Sequence, residues 1–314
     1  MIKKVLKVPL LLLADILFAP LNLIFLSLSR FFRFYGLEYF PVLRRLIVKI
    51  GVLPVHDHYY QPQFVYNKNF NPDIPRDLNI QFDIAKQLSE LSSFHYRDEL
   101  AGDNQPFSIF DLKNGAFEEG DAELYYLIIR NYKPSRIVEI GSGFSTKVAT
   151  VAIEANRSES FSTELLAIEP YEHKWLESLP HVKIIRQKVE DISLDFFRDL
   201  ESGDILFIDT SHIIRPENDV LYIYLKILPL VPSGVIIHVH DIFTPRHYPA
   251  DWSRKESRLW NEQYLLESML IFSNDFEILF SLNHLYKLEY EQLKEVLVNL
   301  NPSSNPGSFW MRKK

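Results

Sequence analysis

Five short apolar runs between residues 137 and 239 restrict the fold of this chain more than any other feature. Each run is rich in Val, Ile and Leu, is too short for a helix, and is separated from the next by a segment of helical pattern. Strands that alternate with helices and are apolar on both faces are typical of α/β proteins with a parallel, doubly wound sheet. We predict strands at residues 137–140, 165–168, 182–185, 204–208 and 234–239.

Acidic residues lie at or just beyond the ends of these runs. In a doubly wound sheet, ligands bind beyond the carboxyl ends of the strands, so these side chains are expected to share one rim. The residues in question are Glu139, Glu169, Glu190, Asp191, Asp209 and Asp241, the last preceded by His240.

The turn after the first strand, Gly141-Ser142-Gly143, leads into a segment of helical pattern that Ser145 or Thr146 would cap. Glycines in such a turn let the backbone approach a ligand closely, although an ordinary strand-to-helix turn would look the same. A dinucleotide fingerprint needs a third glycine, where Thr146 stands, and a ribose acid about 20 residues on. Glu169 lies further along, so the turn indicates a nucleotide cofactor other than NAD.

From about Asn114 to the C-terminus, the chain resembles the class I S-adenosylmethionine-dependent methyltransferases. More narrowly, it resembles a bacterial branch associated with glycan and cell-envelope modification. The resemblance implies a Rossmann-like methyltransferase sheet, closed by an antiparallel pair at Phe276–Phe280 and Ser308–Arg312. The segments that carry it are NGAFEEGDAELYYLIIRNYKPSRIVEIGSGFST, AIEP, GDILFIDTSH, HVHDIFTPRHYPADW and WNEQYLLES.

The same resemblance implies the roles of the cofactor-binding residues. Glu169 would accept hydrogen bonds from the two ribose hydroxyls, either Glu190 or Asp191 would face the adenine amino group, and Asp209 would sit beside the transferring methyl group. The methionine end of S-adenosyl-L-methionine would be lined by Glu139, Gly141, Ser142 and Gly143.

A hydroxyl acceptor loses its proton as it attacks the methyl group, so the site needs a general base or a metal ion. The candidate catalytic residues are Asp209, His212, His240 and Asp241. If the fourth and fifth strands are neighbours, Asp209, His240 and Asp241 can converge on one divalent metal ion, and a mixed His/Asp set suits Mn²⁺, Fe²⁺ or Zn²⁺ better than Mg²⁺. The alternative is His240 or His212 as the base, oriented by an aspartate. We interpret His238 as a buried structural residue.

Two later segments have open interpretations. The loop at residues 244–258 carries Arg246, His247, Tyr248 and Trp252, which would either form an acceptor surface or pack against the body of the protein. In the helix predicted to begin near Leu259, the apolar residues have core spacing, whereas Asn261, Glu262 and Gln263 would face the site.

The N-terminal segment is the second strong signal. Residues 9–28 are almost wholly apolar and about long enough to span a bilayer, but Asp15 and Asn22 interrupt them and Pro20 is expected to break the helix. Basic residues flank both sides, which favours a segment that enters and leaves on the cytoplasmic side or lies in the interface. Residues 30–50 resemble a pair of membrane-surface helices. The alternative is that these helices pack on the catalytic domain or on a second subunit.

Composition narrows the classes. The net charge of −7 argues against a nucleic-acid partner, and the absence of cysteine excludes disulfides and thiol catalysis. We divide the chain into a membrane-association segment (1–50), a cap or linker (51–113) and a catalytic domain (114–314). Since the methyl donor is made in the cytoplasm, the expected location is the cytoplasmic face of the membrane, with the N-terminus peripheral, re-entrant or spanning once. A homo-oligomer stays open.

The resulting hypothesis is an O-methyltransferase that acts on a small-molecule or glycan acceptor, such as a sugar of an envelope glycan or its lipid-linked precursor. Two alternatives remain on the same fold. One is a membrane-tethered scaffold or binding protein without turnover, and the other is a metal-dependent oxidase or hydroxylase with His212, His240 and an aspartate as iron ligands.

Overall fold

The computed structural model describes residues 2–52, 62, 66–102, 106–171, 173–256 and 258–314, with the side chains of residues 2–10 and 38 left out. The chain forms two compact units, residues 1–70 with 251–259 and residues 71–250 with 260–314. The predicted boundary at residue 50 therefore lies within the first unit, and the one at residue 113 lies within the second.

A seven-stranded sheet forms the centre of the second unit, with strand order β3-β2-β1-β4-β5-β7-β6. Strands β1 to β5 are parallel, and β7 runs antiparallel between β5 and β6. The predicted α/β class, its parallel strands and the closing antiparallel pair are confirmed. The strands are β1 (Arg136–Ile140), β2 (Glu164–Ile168), β3 (Val182–Ile185), β4 (Ile205–Ile208), β5 (Ile236–Val239), β6 (Phe276–Ser281) and β7 (Phe309–Lys313).

The register brings the carboxyl ends of the central strands to one level. Ile140 of β1 pairs with Ile168 of β2 and with Ile208 of β4, and Ile208 pairs with Val239 of β5. The residues that follow continue the ladder, since the backbone N–H groups of Asp209 and His240 donate to Ile140 and Ile208. The sequence-predicted site residues after these strands therefore start from one edge.

The helices agree with the predicted alternation, with shifted ends. The helical segment between β4 and β5 is a short α-helix that continues as a π-helix over Ile223–Ile227, and the helix predicted to begin near Leu259 begins at Glu262. Their bounds are α1 (Ile2–Tyr35), α2 (Pro41–Ile50), α3 (Ile84–Ser92), α4 (Asp121–Tyr132), α5 (Phe144–Ser158), α6 (Leu194–Arg198), α7 (Asp219–Tyr222), α8 (Ala250–Arg254), α9 (Glu262–Phe272), α10 (Leu282–Leu288) and α11 (Tyr290–Lys294).

Each face of the sheet has its own apolar layer because strand side chains alternate. Ile137 and Phe207 lie in one layer, whereas Val138 and Leu206 lie in the other. The segment predicted to be a cap or linker contributes to the first layer through residues such as Leu91, Phe94 and Phe107. Its described part after residue 71 therefore belongs to the core of the second unit, because its apolar side chains complete that layer.

The first unit contains α1 and α2. Helix α1 runs without interruption past Pro20, so the predicted break there is wrong; a proline removes one backbone hydrogen bond, and the remaining ones carry the helix across. By length and composition, Leu11–Tyr35 is the helix among the described residues that could cross a membrane. Its apolar side chains are exposed, for example Leu17 at 66% and Leu23 at 67%.

Candidate functional site

A cavity of about 670 Å³ opens at the carboxyl edge of the sheet, where β1, β2 and β4 end. It is lined by the turn after β1, by residues that follow the other strands, and by Ala116 and Phe117, which precede α4. The predicted site residues that line it are Gly141, Ser142, Gly143, Glu169, Glu190 and Asp209.

Gly141 is required at the start of the turn. It has a φ of 81°, and a Cβ atom there would lie 1.7 Å from the carbonyl oxygen of Asp209. Gly143 is different, because its backbone is extended and a Cβ would meet the His173 ring at an ordinary 3.4 Å. The turn therefore packs tightly on the strand beside it, and Gly141 is the glycine on which that packing depends.

Gly143, and neither Ser145 nor Thr146, is the N-cap of α5. Thr146 lies three residues into the cap motif, where its hydroxyl accepts a hydrogen bond from the Gly143 N–H at 3.0 Å and donates one to Glu139 at 2.6 Å. The predicted cap was misplaced because a threonine at this position can satisfy a helix-end N–H from within the first turn.

Glu139 lies beneath the turn, fully buried, and does not line the cavity. Its two oxygens accept hydrogen bonds from the hydroxyls of Tyr125 at 3.0 Å and Thr146 at 2.6 Å. Burial raises the pKa of Glu139 to about 7, against the effect of these hydrogen bonds and with a contribution from Asp209. The structure thus places Glu139 as a support of the turn, where the sequence predicted a contact with the cofactor.

Glu169 and Glu190 face the cavity from the ends of β2 and β3. The carboxylate of Glu169 accepts hydrogen bonds from the backbone N–H groups of Ser142 at 3.3 Å and Tyr171 at 2.8 Å, which fix its direction. Of the two adjacent acids, Glu190 lines the cavity and Asp191 is exposed outside it. Of the two acids that the resemblance offers for the adenine amino group, Glu190 is therefore the one that lies at the cavity.

Two hydroxyl groups in the cavity wall have no protein partner. The Ser142 Oγ and Thr210 Oγ1 atoms are buried and make no hydrogen bond within the described residues. Unpaired buried polar groups are costly, so a ligand that supplies partners for both would be stabilised here. Together with the carboxylates, they fit a polar nucleotide-like ligand.

Asp209, His212 and Asp241 meet beside the cavity. The Nε2 atom of His212 lies 3.2 Å from Oδ1 of Asp209 and 3.8 Å from Oδ2 of Asp241. One ligand atom from each residue lies within 4.8 Å of the others, close enough for one metal ion. The predicted set was Asp209, His240 and Asp241, whereas the histidine that lies with the two aspartates in the structure is His212.

His240 points elsewhere. Its ring packs against Phe117 with centroids 5.2 Å apart, its Nε2 lies 3.9 Å from Asp241, and its Nδ1 is buried without a partner among the described residues. In the strand pattern, His240 shares a face with His238, whose ring stacks on Phe207 at 4.0 Å. Because of this alternation, the His240 ring lies on the face of the sheet that carries His238. The geometry therefore does not support the predicted role of His240 as a metal ligand.

The charges of this group are coupled. Burial alone would raise the pKa of Asp209, but His240 and a hydrogen bond from His212 outweigh it and hold that pKa below its ordinary value. Burial likewise opposes charging of the two imidazoles, yet hydrogen bonds to Asp209 and Glu262 raise the pKa of His212 well above its ordinary value. The carboxylates of Asp241, Asp209 and Asp121 raise the pKa of His240. These shifts favour the charged form of both imidazoles and of the Asp209 carboxylate.

His238 is structural, as predicted, although its partner is a hydroxyl. Its Nε2 lies 3.2 Å from Ser308 Oγ, and burial holds its pKa well below the ordinary value. Arg246 and Tyr248 are also buried, at 6% and 3% exposed, and do not line the cavity. For these two residues of the 244–258 loop, the structure agrees with packing and gives no acceptor surface.

The sequence did not predict several cavity residues, among them Phe117, Tyr171 and Arg215. Tyr171 follows the AIEP segment directly, so its position was available as a signal. Phe117 lies far from the strand ends in sequence, and its place in the wall depends on how the segment before α4 packs.

Residues 138–242 match a family model described as a methyltransferase domain. This part of the chain is a methyltransferase domain. It contains the turn, the strand-end acids and the Asp209, His212 and Asp241 group. An uncharacterized protein of Archaeoglobus fulgidus is 38% identical over 102 residues, which cover 31% of this chain and 45% of that protein. The chain thus matches less than half the length of this relative.

Solved structures that are similar to about three quarters of this chain include three O-methyltransferases. TomG from Streptomyces achromogenes, solved with S-adenosylmethionine, is 18% identical, with a TM-score of 0.42 over 75% of this chain and 92% of its own. An O-methyltransferase from Bacillus cereus is 14% identical, with a TM-score of 0.40 over 77% and 93%. CalS11, a TDP-rhamnose 3'-O-methyltransferase, is 11% identical, with a TM-score of 0.38 over 73% and 93%. At these values the likenesses bear on neither the substrate nor the mechanism of the methyltransferase domain.

Proposed function

We propose that this chain transfers a methyl group from S-adenosylmethionine to a hydroxyl group of a sugar in an envelope glycan or its lipid-linked precursor. The observation that carries the proposal is the meeting of Glu169, Glu190 and Asp209 in one cavity at the carboxyl edge of a methyltransferase domain. S-adenosylmethionine carries an adenine, two ribose hydroxyls and a positively charged sulfonium along its length. The adenine and the hydroxyls need hydrogen-bond acceptors, and the sulfonium needs negative charge nearby.

The residues divide the work of holding the donor. Glu169 accepts the hydrogen bonds of the ribose hydroxyls, Glu190 faces the adenine, and the hydroxyls of Ser142 and Thr210 gain partners. The ionised carboxylate of Asp209 faces the region that would hold the positively charged sulfonium. When bound, S-adenosylmethionine supplies an electrophilic methyl group, and the wall of the cavity keeps the reacting groups aligned and excludes water.

The Asp209, His212 and Asp241 group handles the proton of the acceptor. A divalent ion fits this donor set, since two carboxylates and one imidazole lie within reach of a common point; it would lower the pKa of the acceptor hydroxyl. Without an ion, the ionised carboxylate of Asp209 takes the proton, while His212 holds that carboxylate in place at 3.2 Å.

Calorimetric titration with S-adenosylmethionine and, separately, NAD tests the cofactor. We expect micromolar binding of the first alone, and binding of neither would remove the proposal. Glu169→Ala should weaken binding by about 1–3 kcal/mol through the loss of charge-assisted hydrogen bonds. Glu164→Ala is the matched control, because Glu164 lies at the opposite end of β2 and its side chain is half exposed in an ion pair with Arg136.

Transfer itself is measured with S-adenosylmethionine labelled in the methyl group, with separate lipid-linked and soluble glycan fractions as acceptors. Label in a base-stable ether of a sugar supports the proposal, and label in protein or in methyl ester contradicts it. A chelator included in parallel decides between the ion and Asp209 alone for proton transfer.

We also propose that the first unit attaches the protein to the cytoplasmic face of the membrane. Support comes from the exposed apolar surface of Leu11–Tyr35 and from basic residues on α2. An unbroken helix of 25 residues is about 38 Å long and fits a single span or an interfacial position, whereas a re-entrant segment needs a break. In a vesicle flotation assay, we expect the full chain to float and a chain without residues 1–50 to stay at the bottom. Flotation of the truncated chain would place the attachment elsewhere.

A further inference from the structure

Glu262 is a buried carboxylate that makes a short contact with His212, a member of the Asp209, His212 and Asp241 group. It begins α9, has no exposed surface, and its Oε2 lies 2.9 Å from Nδ1 of His212. Since a carboxylate only accepts hydrogen bonds, the hydrogen of this contact is on Nδ1 of His212. The opposite nitrogen, Nε2, is thereby turned toward Asp209 and Asp241, at 3.2 and 3.8 Å.

Backbone hydrogen bonds also connect Glu262 with His212. The N–H groups of Asn261 and Glu262 both donate to the carbonyl oxygen of His212, at 3.0 and 3.2 Å. Asn261 also accepts a hydrogen bond from the N–H of Ile214 at 2.6 Å through its side chain. The start of α9 is therefore bound to the loop after β4 at His212 and at Ile214.

The ring of His212 is fixed on its face as well. Trp260 packs on it with centroids 4.2 Å apart and an angle of 34° between the rings. His212 itself has a φ of 58°, in the left-handed region, and is 3% exposed. A residue held in this conformation by backbone, ring and carboxylate contacts has one available direction for Nε2.

We propose that Glu262 is a positioning residue for methyl transfer, which holds His212 so that its Nε2 faces the carboxylates of Asp209 and Asp241. The inference rests on the proposed function of the site. It applies whether Nε2 binds an ion or holds Asp209 as that residue takes the proton, because both need the same nitrogen in the same place. Glu262 touches neither cavity nor substrate and acts through His212.

The first test reads the histidine directly and needs no activity. The full chain is labelled with ¹⁵N-histidine, and the His212 signals are assigned by their loss in His212→Gln. At one fixed pH, we expect a hydrogen-bonded Nδ1–H of His212 in the unmodified chain and its loss in Glu262→Ala. An Nδ1 without hydrogen in the unmodified chain, or a signal unchanged in Glu262→Ala, overturns the proposal, and the first of these results does not depend on whether Glu262→Ala folds.

The second test separates positioning from general stability. Glu262→Ala should lower kcat by about 10–100-fold, while affinity for S-adenosylmethionine stays within about two-fold. Glu262→Gln keeps an acceptor oxygen for Nδ1–H and should restore most of kcat; a variant as slow as Glu262→Ala would contradict positioning. Glu267→Ala is the matched control, because Glu267 is buried on the same helix in an ion pair with Arg76. It should change neither kcat nor the His212 signal.

Failure of the proposed function gives a different result. If the unmodified chain binds S-adenosylmethionine but transfers no methyl group to any fraction, the transferase proposal fails, and the histidine spectrum still decides whether Glu262 fixes His212.

Discussion

At the scale of single residues, the turn after β1 depends on Glu139, which is buried outside the cavity, and on Gly141, which is part of the cavity wall. Glu139 holds the turn from below through Thr146, and Gly141 allows it to lie against the backbone of Asp209. Both are structural supports for the residues that face the ligand, so changes to them should appear first in stability and then in cofactor affinity.

Glu139 makes the stability of the domain dependent on pH. Its pKa is raised from 4.5 to about 7 in the fold, so the folded state favours the protonated form. Its contribution to stability is therefore present at low pH and is lost as the pH rises through about 7. In Glu139→Gln, this loss is absent. Between about pH 5 and about pH 8, the unmodified chain should therefore lose roughly 2 kcal/mol more of its free energy of unfolding than the variant does. Parallel denaturation curves at both pH values measure this, and equal slopes against pH would contradict it.

Gly141→Ala should lower the stability of the domain by more than its backbone strain alone would. An alanine in the left-handed region costs about 1–2 kcal/mol, and here the added Cβ would also meet the Asp209 carbonyl at 1.7 Å. Gly203→Ala is the control, since Gly203 has a φ of 91° and open space around its Cβ position. Urea denaturation should show a loss of about 1 kcal/mol for Gly203→Ala and at least twice that for Gly141→Ala. Equal losses would show that the close approach to Asp209 relaxes freely.

The strand-end acids were predictable from sequence because parallel strands end at one edge, whatever the details of packing. Glu169, Glu190 and Asp209 reached the cavity for that reason. His240 and His212 were not separable in the same way. His240 follows a strand whose alternation turns it toward the sheet, whereas His212 lies in a loop with a φ of 58°, and nothing in the sequence states that conformation. The contact between Glu262 and His212 joins residues 50 positions apart and is visible only in the fold.

At the scale of elements, the pattern of apolar residues predicted strands better than helices. A strand buried on both faces needs a continuous apolar run, so its limits are read directly; β3 has the predicted ends. Helix ends depend on capping contacts such as that of Thr146, and α1 continues through Pro20 although proline normally interrupts a helix.

Helix α2 supplies a test of the membrane-surface interpretation. Its side chains are exposed or half exposed, and it carries Arg44, Arg45 and Lys49 without an acidic residue. Basic residues near an anionic lipid surface contribute about 1 kcal/mol each. In a chain without residues 1–35, replacing all three with glutamine should lower the affinity for anionic vesicles, measured by cosedimentation, by roughly a hundredfold. Binding to neutral vesicles should change little, and equal loss on both would show that charge is not the reason for binding.

At the scale of the whole molecule, every residue that lines the cavity belongs to the second unit. The first unit holds the exposed apolar helix. Binding of the methyl donor and attachment to the membrane are therefore expected to separate when residues 1–50 are removed. The acceptor could not be predicted at this scale, because the cavity wall that would meet it includes residues such as Phe117 and Arg215, whose positions follow from packing and carry no sequence signature.

Removal of residues 1–50 should leave the affinity for S-adenosylmethionine within about two-fold, because no cavity residue is lost. Transfer to a lipid-linked acceptor in vesicles should fall through a higher KM, since attachment to the same surface raises the local concentration of enzyme and acceptor. Transfer to a soluble analogue of that acceptor should keep its kcat and KM. Titration calorimetry and initial rates on both acceptors measure the three quantities. An equal loss on both acceptors would mean that the N-terminal segment supports the catalytic unit itself, and its apolar surface would then need a protein partner as its explanation.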